Sequence, residues 1–425
     1  SLRVLNKGLG YCALLPSADG KNLYTSGGRI RKVNLDNGSA KDINFRAEFE
    51  YKPIKEREYI FDHVVNLINN KFYREDLGGV DWDFYAKSYN RFLPEINNDY
   101  DMAEMLSEML GELNASHTGA RVGTTAPRQQ TANLGAFFDD EYDGDGLKIK
   151  EIIKGGPLDF TGSKIKAGHI IKKIDGQPIE KGKDYFPLLA GKSGKRTLLV
   201  LTDDKGKNEY EQEVIPTSSG AVGNLLYKRW VERRREMTEK YSGGRVGYVH
   251  VKAMNSESFR DVFSEVLGKN RNKEALVVDI RHNGGGWLHD DLGILLSGKL
   301  YQTFEPRGQY IGSDPFMQWY KPSAVLMCEN DYSNAHGFPF MYKALGIGKL
   351  VGAPMAGTMT AVWWETQVNG RIVVGLPEVA VKDMSGKYLE NQDLYPDVIV
   401  YQTPEERLKD NDVQLKKTID TLLGK

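Results

Sequence analysis

The stretch Asn330–Gly337, NDYSNAHG, places Ser333 at a predicted turn between a strand and a helix. Before it, the apolar run 324–328 (AVLMC) predicts a buried strand, and after it residues 338–345 predict a helix with Pro339 in the first turn. A helix start offers free backbone N–H groups and a positive dipole end, and hydrolases often hold a nucleophile at such a junction. Ser333 is therefore a candidate nucleophile, although a helix-capping role would explain a serine here equally well.

Composition describes an ordinary globular chain. Its 425 residues predict two to four domains, and 40% of them are hydrophobic. The 57 Lys and Arg residues balance 58 Asp and Glu residues, so overall charge gives no reason to expect nucleic acid or an anionic membrane as a partner. No run of about 18 apolar residues is present, so no membrane span is predicted.

The first residues, SLRVLNKGLG, contain neither a Met nor the apolar core of a signal peptide. We therefore expect the chain to be a piece of a longer protein, and the compartment stays open. Two cysteines, Cys12 and Cys328, lie far apart in sequence and indicate neither a redox compartment nor a metal site.

Patterning divides the chain into four predicted segments. Residues 1–46 predict short strands joined by turns and are similar to the end of a β-propeller, with a stray hairpin as the alternative. Residues 47–125 predict a helical bundle. Its apolar stripes are Ile60, Val64, Leu67 and Ile68, and then Met102, Leu106, Met109, Leu110 and Leu113, with Asp81 as a helix N-cap.

The second half of the chain is richer in strands. Residues 131–217 predict strands at 134–140, 147–159, 169–179 and 197–203, in an order that resembles a PDZ domain with Leu134–Phe137 as the carboxylate-binding loop. Residues 218–425 open with a basic helix (227–237), whose cationic face we expect to be solvated. Alternating strands and helices follow and predict an α/β core.

Three further motifs carry groups that could serve Ser333. Ser116-His117 follows the helical segment, and the sequence DIRHNGGG (279–286) runs from a strand into three glycines that could aim N–H groups at an oxyanion. No Lys-Ser/Thr follows these glycines, so a phosphate loop is not indicated. Glu390 precedes a Tyr-Pro-Asp turn. A lone histidine or carboxylate is more often structural, so these motifs indicate a catalytic site only when they are taken together.

Taken together, these motifs resemble the tricorn-like, C-terminal-processing serine peptidases of family S41. The resemblance covers nearly the whole chain in order: a propeller edge, a helical segment, a PDZ domain and an α/β peptidase core of the ClpP/crotonase type. It implies a serine peptidase acting on short peptides through an acyl-enzyme, without a cofactor or metal ion. It also implies a homo-oligomer, by analogy a hexamer, in the cytoplasm or alternatively the periplasm.

The resemblance also implies residue roles. Ser333 matches the nucleophile and His117 the base, while Ser116 and Glu390 match the groups that orient the imidazole. The remaining residues match backbone positions: Gly285 and Asn334 as oxyanion donors, and Gly284 and Gly286 in substrate binding. We therefore expect Ser333 Oγ within hydrogen-bonding reach of His117, and the N–H groups of Gly285 and Asn334 free of protein acceptors.

Alternatives remain at this stage. A sister branch uses a Ser-Lys dyad, but segment 357–360 (GTMT) has no lysine. The family commonly has Asp-Gly after the nucleophile, where this chain has Asn334-Ala335; a shifted register would put Ala335 in the nucleophile position and leave an inactive protein that captures peptides through its PDZ domain. A metal hydrolase is a third hypothesis, built from His282, His289, Asp290 and Asp291, at a spacing that matches no standard motif.

Overall fold

The chain divides after Glu56 into two compact units. The computed structural model describes residues 13–27, 29–48, 50–123 and 129–425. In the first unit, four strands form an antiparallel sheet in sequence order: β1 (Ala13–Pro16), β2 (Asn22–Ser26), β3 (Ile30–Asn34) and β4 (Ala40–Asp42). Within the predicted strand segment 1–46, residues 1–12, Cys12 among them, and Gly28 lie outside the described residues.

Three helices follow: α1 (Pro53–Lys71), α2 (Trp82–Asn90) and α3 (Asp99–Gly111). The Asp81 side chain caps α2 by accepting the Phe84 N–H, as predicted. Both predicted apolar stripes are buried. Their core also contains Ile372, Val374 and Leu376 from a distant strand, so the helices share their hydrophobic core with the end of the chain.

A small three-stranded sheet joins these distant parts. Strand β5 (Gly119–Val122) pairs antiparallel with β19 (Ile372–Ala380), which pairs in turn with β18 (Thr360–Thr366). The sequence analysis did not predict this sheet, because its strands come from opposite ends of the chain and only their pairing gives them partners.

The PDZ-like region has a core of its own. Its strands run in the order β11-β10-β8-β7-β6, with β9 beside β8. The elements are β6 (Ala136–Phe138), β7 (Leu147–Ile152), β8 (Ile170–Ile174), β9 (Gln177–Pro178), α4 (Phe186–Leu189), β10 (Thr197–Thr202) and β11 (Tyr210–Val214). Each of the four predicted strand segments contains a strand, whereas α4 and β11 were not predicted.

The remaining elements form an α/β core. Five parallel strands run in the order β12-β13-β16-β17-β20. Helices α6, α7 and α8 contribute to the core on one face, and α5 and α10 to that on the other. The elements are α5 (Ser219–Ser242), β12 (Val246–His250), α6 (Ser256–Ser264), β13 (Ala275–Asp279), α7 (His289–Leu296), β14 (Gln302–Phe304), β15 (Gly312–Asp314), β16 (Ser323–Met327), α8 (Asn334–Ala344), β17 (Lys349–Gly352), β20 (Val398–Ile399), α9 (Pro404–Leu408) and α10 (Val413–Leu422).

Two helices differ from expectation. Helix α8 begins directly after Ser333, so Pro339 lies inside it and the predicted start at Phe338 is wrong. The predicted basic helix is part of the longer α5, and its cations are not simply solvated, since Arg234 forms ion pairs with Asp410 and Asp412. None of the described helices combines the length and the hydrophobicity that a membrane-spanning segment requires.

Candidate active site

The parallel sheet brings the glycine-rich loop and the Ser333 turn together. Strands β13 and β16 are neighbours, and the two segments leave their carboxyl ends, where open α/β sheets form ligand crevices. A Cβ atom built on Gly285 would lie 2.5 Å from Ser333 Cβ and 3.1 Å from the backbone nitrogen of Asn334. Glycine is therefore required for this approach, as is its φ of 94°.

Ser333 occupies the N-cap position of α8 with φ 59° and ψ −125°, a strained conformation for a non-glycine residue. Its side chain makes no capping hydrogen bond, so the helix-cap hypothesis is wrong. The Ser333 N–H instead donates to Thr358 Oγ1 at 2.8 Å. Ala335 is the second residue of helix α8 and is buried, so Ser333, and not Ala335, occupies the strand-to-helix junction.

Buried polar groups hold this turn against the glycine-rich loop. Asp331 accepts the N–H of Cys328 at 2.8 Å and that of Asn283 at 3.2 Å. The Tyr332 N–H donates to the Asn283 carbonyl at 3.0 Å. Burial raises the pKa of Asp331 to about 8. Together these bonds fix the residues before Ser333 at the end of β13.

Ser116 and His117 lie in the connection between α3 and β5. His117 Nδ1 lies 2.8 Å from Ser116 Oγ and 3.0 Å from Thr360 Oγ1. Glu390 accepts from Ser116 twice, from its hydroxyl at 3.0 Å and from its N–H at 2.5 Å. Because β5 is paired through β19 to β18, the pairing carries His117 to the beginning of β18, where Thr360 lies.

This network fixes the protonation of the imidazole. When Ser116 donates its hydroxyl hydrogen to Glu390, its oxygen can accept only from a protonated His117 Nδ1, which leaves Nε2 as the basic nitrogen. Burial lowers the pKa of His117, so the ring is neutral near pH 7. Burial also raises the pKa of Glu390, with the hydrogen bonds from Ser116 acting in the opposite direction.

Tyr332 connects the imidazole to the Ser333 turn. Its phenolic oxygen accepts the His117 backbone N–H at 2.8 Å, and the two ring centroids are 4.8 Å apart. The expected hydrogen bond between Ser333 Oγ and the imidazole is not formed in the described part of the chain, where neither Ser333 Oγ nor His117 Nε2 has a hydrogen-bond partner. Catalytic hydrogen bonds are often long in an unliganded site.

The expectation of a free N–H at Gly285 is wrong. Gly285 donates to Asn283 Oδ1 at 2.8 Å, because asparagine readily accepts from the backbone two residues ahead. Its carbonyl accepts from Met254 at 2.9 Å. A trans peptide directs its N–H opposite to its carbonyl, so the Gly286 N–H points away from Met254. Among the described residues, the N–H groups of Gly286 and Asn334 donate to no protein acceptor, and neither does that of Gly284.

Several residues at this site were not predicted from the sequence: Asn283, Tyr332, Thr358 and Thr360. Both threonines lie in segment 357–360, which drew attention only because it lacks the lysine of the sister branch. The sequence signal that could have indicated them is the pair of hydroxyl groups at alternating positions, Thr358 and Thr360, directly after Gly357.

The residues proposed as metal ligands do not form a metal site among the described residues. In the ranges that the structure describes, no three His, Cys, Asp or Glu side chains are grouped so as to hold a metal ion. His282 Nδ1 lies 3.0 Å from Asn330 Oδ1, while His289 Nδ1 lies 2.9 Å from Asn334 Nδ2.

Comparison with known proteins identifies the family. The model of Peptidase family S41 matches residues 245–400, that of the Tricorn protease C1 domain residues 53–111, and that of the Tricorn protease PDZ domain residues 133–217. Residues 245–400 thus match peptidase family S41, and the chain is similar to tricorn-like members of that family over all three stretches. The three matched stretches contain α1 to α3, the PDZ-like sheet and the five parallel strands of the α/β core.

Individual S41 relatives agree with this assignment. Tricorn protease homolog 1 of Streptomyces coelicolor is 28% identical, over 96% of this chain and 40% of the relative. Tricorn protease of Thermoplasma acidophilum is 24% identical, over 86% of this chain and 34% of the relative. The chain therefore spans two fifths or less of the length of these two relatives.

A solved structure supports the same fold. The crystal structure of the tricorn protease superposes with a TM-score of 0.84 at 22% identity, covering 97% of this chain and 41% of that one. The S41 fold with its PDZ-like region is thus shared over nearly the whole chain.

Proposed function

We propose that this chain is a serine peptidase that cleaves short peptides, with Ser333 as nucleophile and His117 as general base. The observation that carries the proposal is the network behind His117. Ser116 contacts Nδ1 and is itself held by Glu390, while Nε2 has no partner among the described residues and the imidazole packs against Tyr332, the residue before Ser333. A serine hydroxyl needs such a base near neutral pH, and the base needs a group that fixes its tautomer.

In the proposed reaction, Ser333 Oγ attacks the carbonyl carbon of the scissile bond and its proton passes to His117 Nε2. That proton then goes to the leaving amine as the carbon–nitrogen bond breaks, which leaves an ester on Ser333. Water, activated by the same imidazole, hydrolyses the ester and restores the hydroxyl. The lowered pKa of His117 keeps the base neutral for the first step.

For the oxyanion we propose the N–H groups of Gly286 and Asn334. Both are free of protein acceptors in the described part of the chain, and the N–H of Asn334 is the first of helix α8, where the helix dipole favours negative charge. Gly285 acts differently from the first expectation: its lack of a side chain lets the loop approach Ser333. Gly284 and Gly286 contact an extended peptide through their backbone groups, and a methyl group on Gly284 would leave these groups in place because it would meet nothing within 4 Å.

The experiment is steady-state and burst kinetics on a panel of peptides. Ser333→Ala should abolish turnover and the acyl-enzyme burst while keeping peptide binding. His117→Ala should lower the rate by a factor on the order of 10³ or more, and the double variant should lose little beyond either change, because the two groups serve one step. A matched control is His169→Ala, a histidine that contacts Tyr210 in the PDZ-like region. Activity that survives Ser333→Ala would refute the proposal.

The finer architecture belongs to the same proposal. We take the antiparallel sheet within 1–46 as blade-like, 47–125 as a helical segment, 131–217 as a PDZ domain that binds extended peptide, and 218–425 as the peptidase core. Residues 124 and 125 lie outside the described residues. We also propose a homo-oligomer, a hexamer by similarity, which light scattering on the purified chain would test.

A further inference from the structure

Trp287 is an exposed aromatic residue directly after the glycine-rich loop. The residue is 63% exposed although its backbone is paired, with its N–H donating to the Met254 carbonyl at 2.7 Å. It follows Gly285 by two residues, so its Cα lies within ~7 Å of the Gly285 Cα. Because Gly285 lies against Ser333, the backbone of Trp287 is close to the turn that carries the candidate nucleophile.

A chain of contacts orients this indole from the nucleophile side. Asn334 Oδ1 accepts the N–H groups of Leu288 at 2.8 Å and His289 at 3.1 Å. These two bonds determine the orientation of the Asn334 amide, with its oxygen toward the start of α7. The Asn334 amide nitrogen therefore donates to His289 Nδ1 at 2.9 Å and fixes the imidazole. The imidazole meets the Trp287 ring edge to face, with centroids 5.2 Å apart and planes at 85°.

An indole held in this way is pre-organised for binding. Exposed tryptophan normally loses rotamer freedom when it contacts a ligand, and an orientation already fixed by His289 reduces that cost. Its uncovered surface offers a large apolar contact two residues after Gly285, the glycine that lies against Ser333. Asn334 has two roles here: its backbone N–H is a proposed oxyanion donor, and its side-chain amide holds His289. The position of the indole is therefore linked to that of the oxyanion site through one residue.

We propose that Trp287 is a specificity-determining residue that contacts an aromatic or large apolar substrate side chain flanking the scissile bond. This inference rests on the proposed peptidase function and names its substrate class. Substrates with such a side chain at one fixed position from the cut gain contact with the indole, and those with a small residue there do not.

The test uses internally quenched peptides in which one Phe is moved through an otherwise Ala- and Gly-containing sequence, with cleavage sites read by mass spectrometry. The wild type should prefer Phe at one position relative to the cut, and Trp287→Ala should reduce that preference on the order of tenfold. Trp287→Phe should retain most of it. Trp363→Ala is the matched control, because Trp363 is 64% exposed on β18.

A preference unchanged in Trp287→Ala would overturn the inference, and so would an equal loss on every peptide. Binding of the Phe and Ala peptides to Ser333→Ala, with and without Trp287→Ala, separates this inference from the function on which it rests. A wild type that cleaves nothing contradicts the peptidase proposal. Equal binding of both peptides with Trp287 present contradicts the role of Trp287.

Discussion

The phenolic oxygen of Tyr332 accepts a hydrogen bond from the backbone N–H of His117 at 2.8 Å, between residues separated by more than half of the chain. The residue that precedes the candidate nucleophile thus holds the main chain of the candidate base. His117 has φ 65°, a conformation that a histidine keeps only when its surroundings fix it. Tyr332 provides part of that support.

Removal of this hydroxyl should misplace the base without unfolding the protein. In Tyr332→Phe the ring contact with His117 remains but its N–H loses an acceptor, which costs about 1–3 kcal/mol. We expect kcat to fall by about tenfold or more with little change in KM. Tyr210→Phe is the control, since it removes a hydroxyl 2.7 Å from a histidine of the PDZ-like region. Equal effects of the two variants would contradict this role.

Ser116 and Thr360 should substitute for one another in part, because both hydroxyl oxygens lie within 3.0 Å of His117 Nδ1. We expect Ser116→Ala and Thr360→Val each to lower kcat moderately. Their combination should cost more than the product of the single effects, since it leaves Nδ1 without an acceptor. Kinetics of the four proteins as a double-mutant cycle measure this. A simple product would show that the two hydroxyls act independently.

The dependence of kcat/KM on pH should reflect the burial of His117. Burial lowers the pKa of His117 from its usual 6.5, so the acid limb of kcat/KM, where the imidazole becomes protonated, should be centred below pH 6.5. The folded pKa is below the unfolded one, so this group's contribution to stability is present above the unfolded value and lost as pH falls. Glu390→Gln should move the acid limb further down, since it removes an anion that favours the imidazolium. A limb centred above 6.5 would contradict this.

Two glycines of one loop should respond oppositely to the same change. In Gly285→Ala the new Cβ would lie 2.5 Å from Ser333 Cβ and 2.8 Å from the Tyr332 carbonyl, so the nucleophile must move and activity should be lost. In Gly284→Ala the Cβ meets nothing within 4 Å, and activity should be largely kept. Thermal unfolding of both variants would show whether the loss is local. An inactive Gly284→Ala beside an active Gly285→Ala would contradict the loop geometry described here.

Much of the site could be predicted from sequence because its groups occupy distinctive local patterns. Ser333 lies between an apolar run and a helix, and Gly285 in a triple glycine after a strand. Pairing between distant segments could not be predicted in this way. The β5–β19–β18 sheet, which puts Thr360 beside His117, has no local signal. The predicted free N–H of Gly285 failed because a side chain two residues away, Asn283, competes for it.

The measurement that tests the central claim most directly is labelling with a fluorophosphonate, followed by mass spectrometry of the digested protein. A phosphonyl adduct requires a hydroxyl activated by a base, so Ser333 should carry the adduct in the wild type. Ser333→Ala should carry none there, and labelling should slow by orders of magnitude in His117→Ala. Folded wild-type protein that stays unlabelled, or that carries its adduct on another residue, would contradict the account.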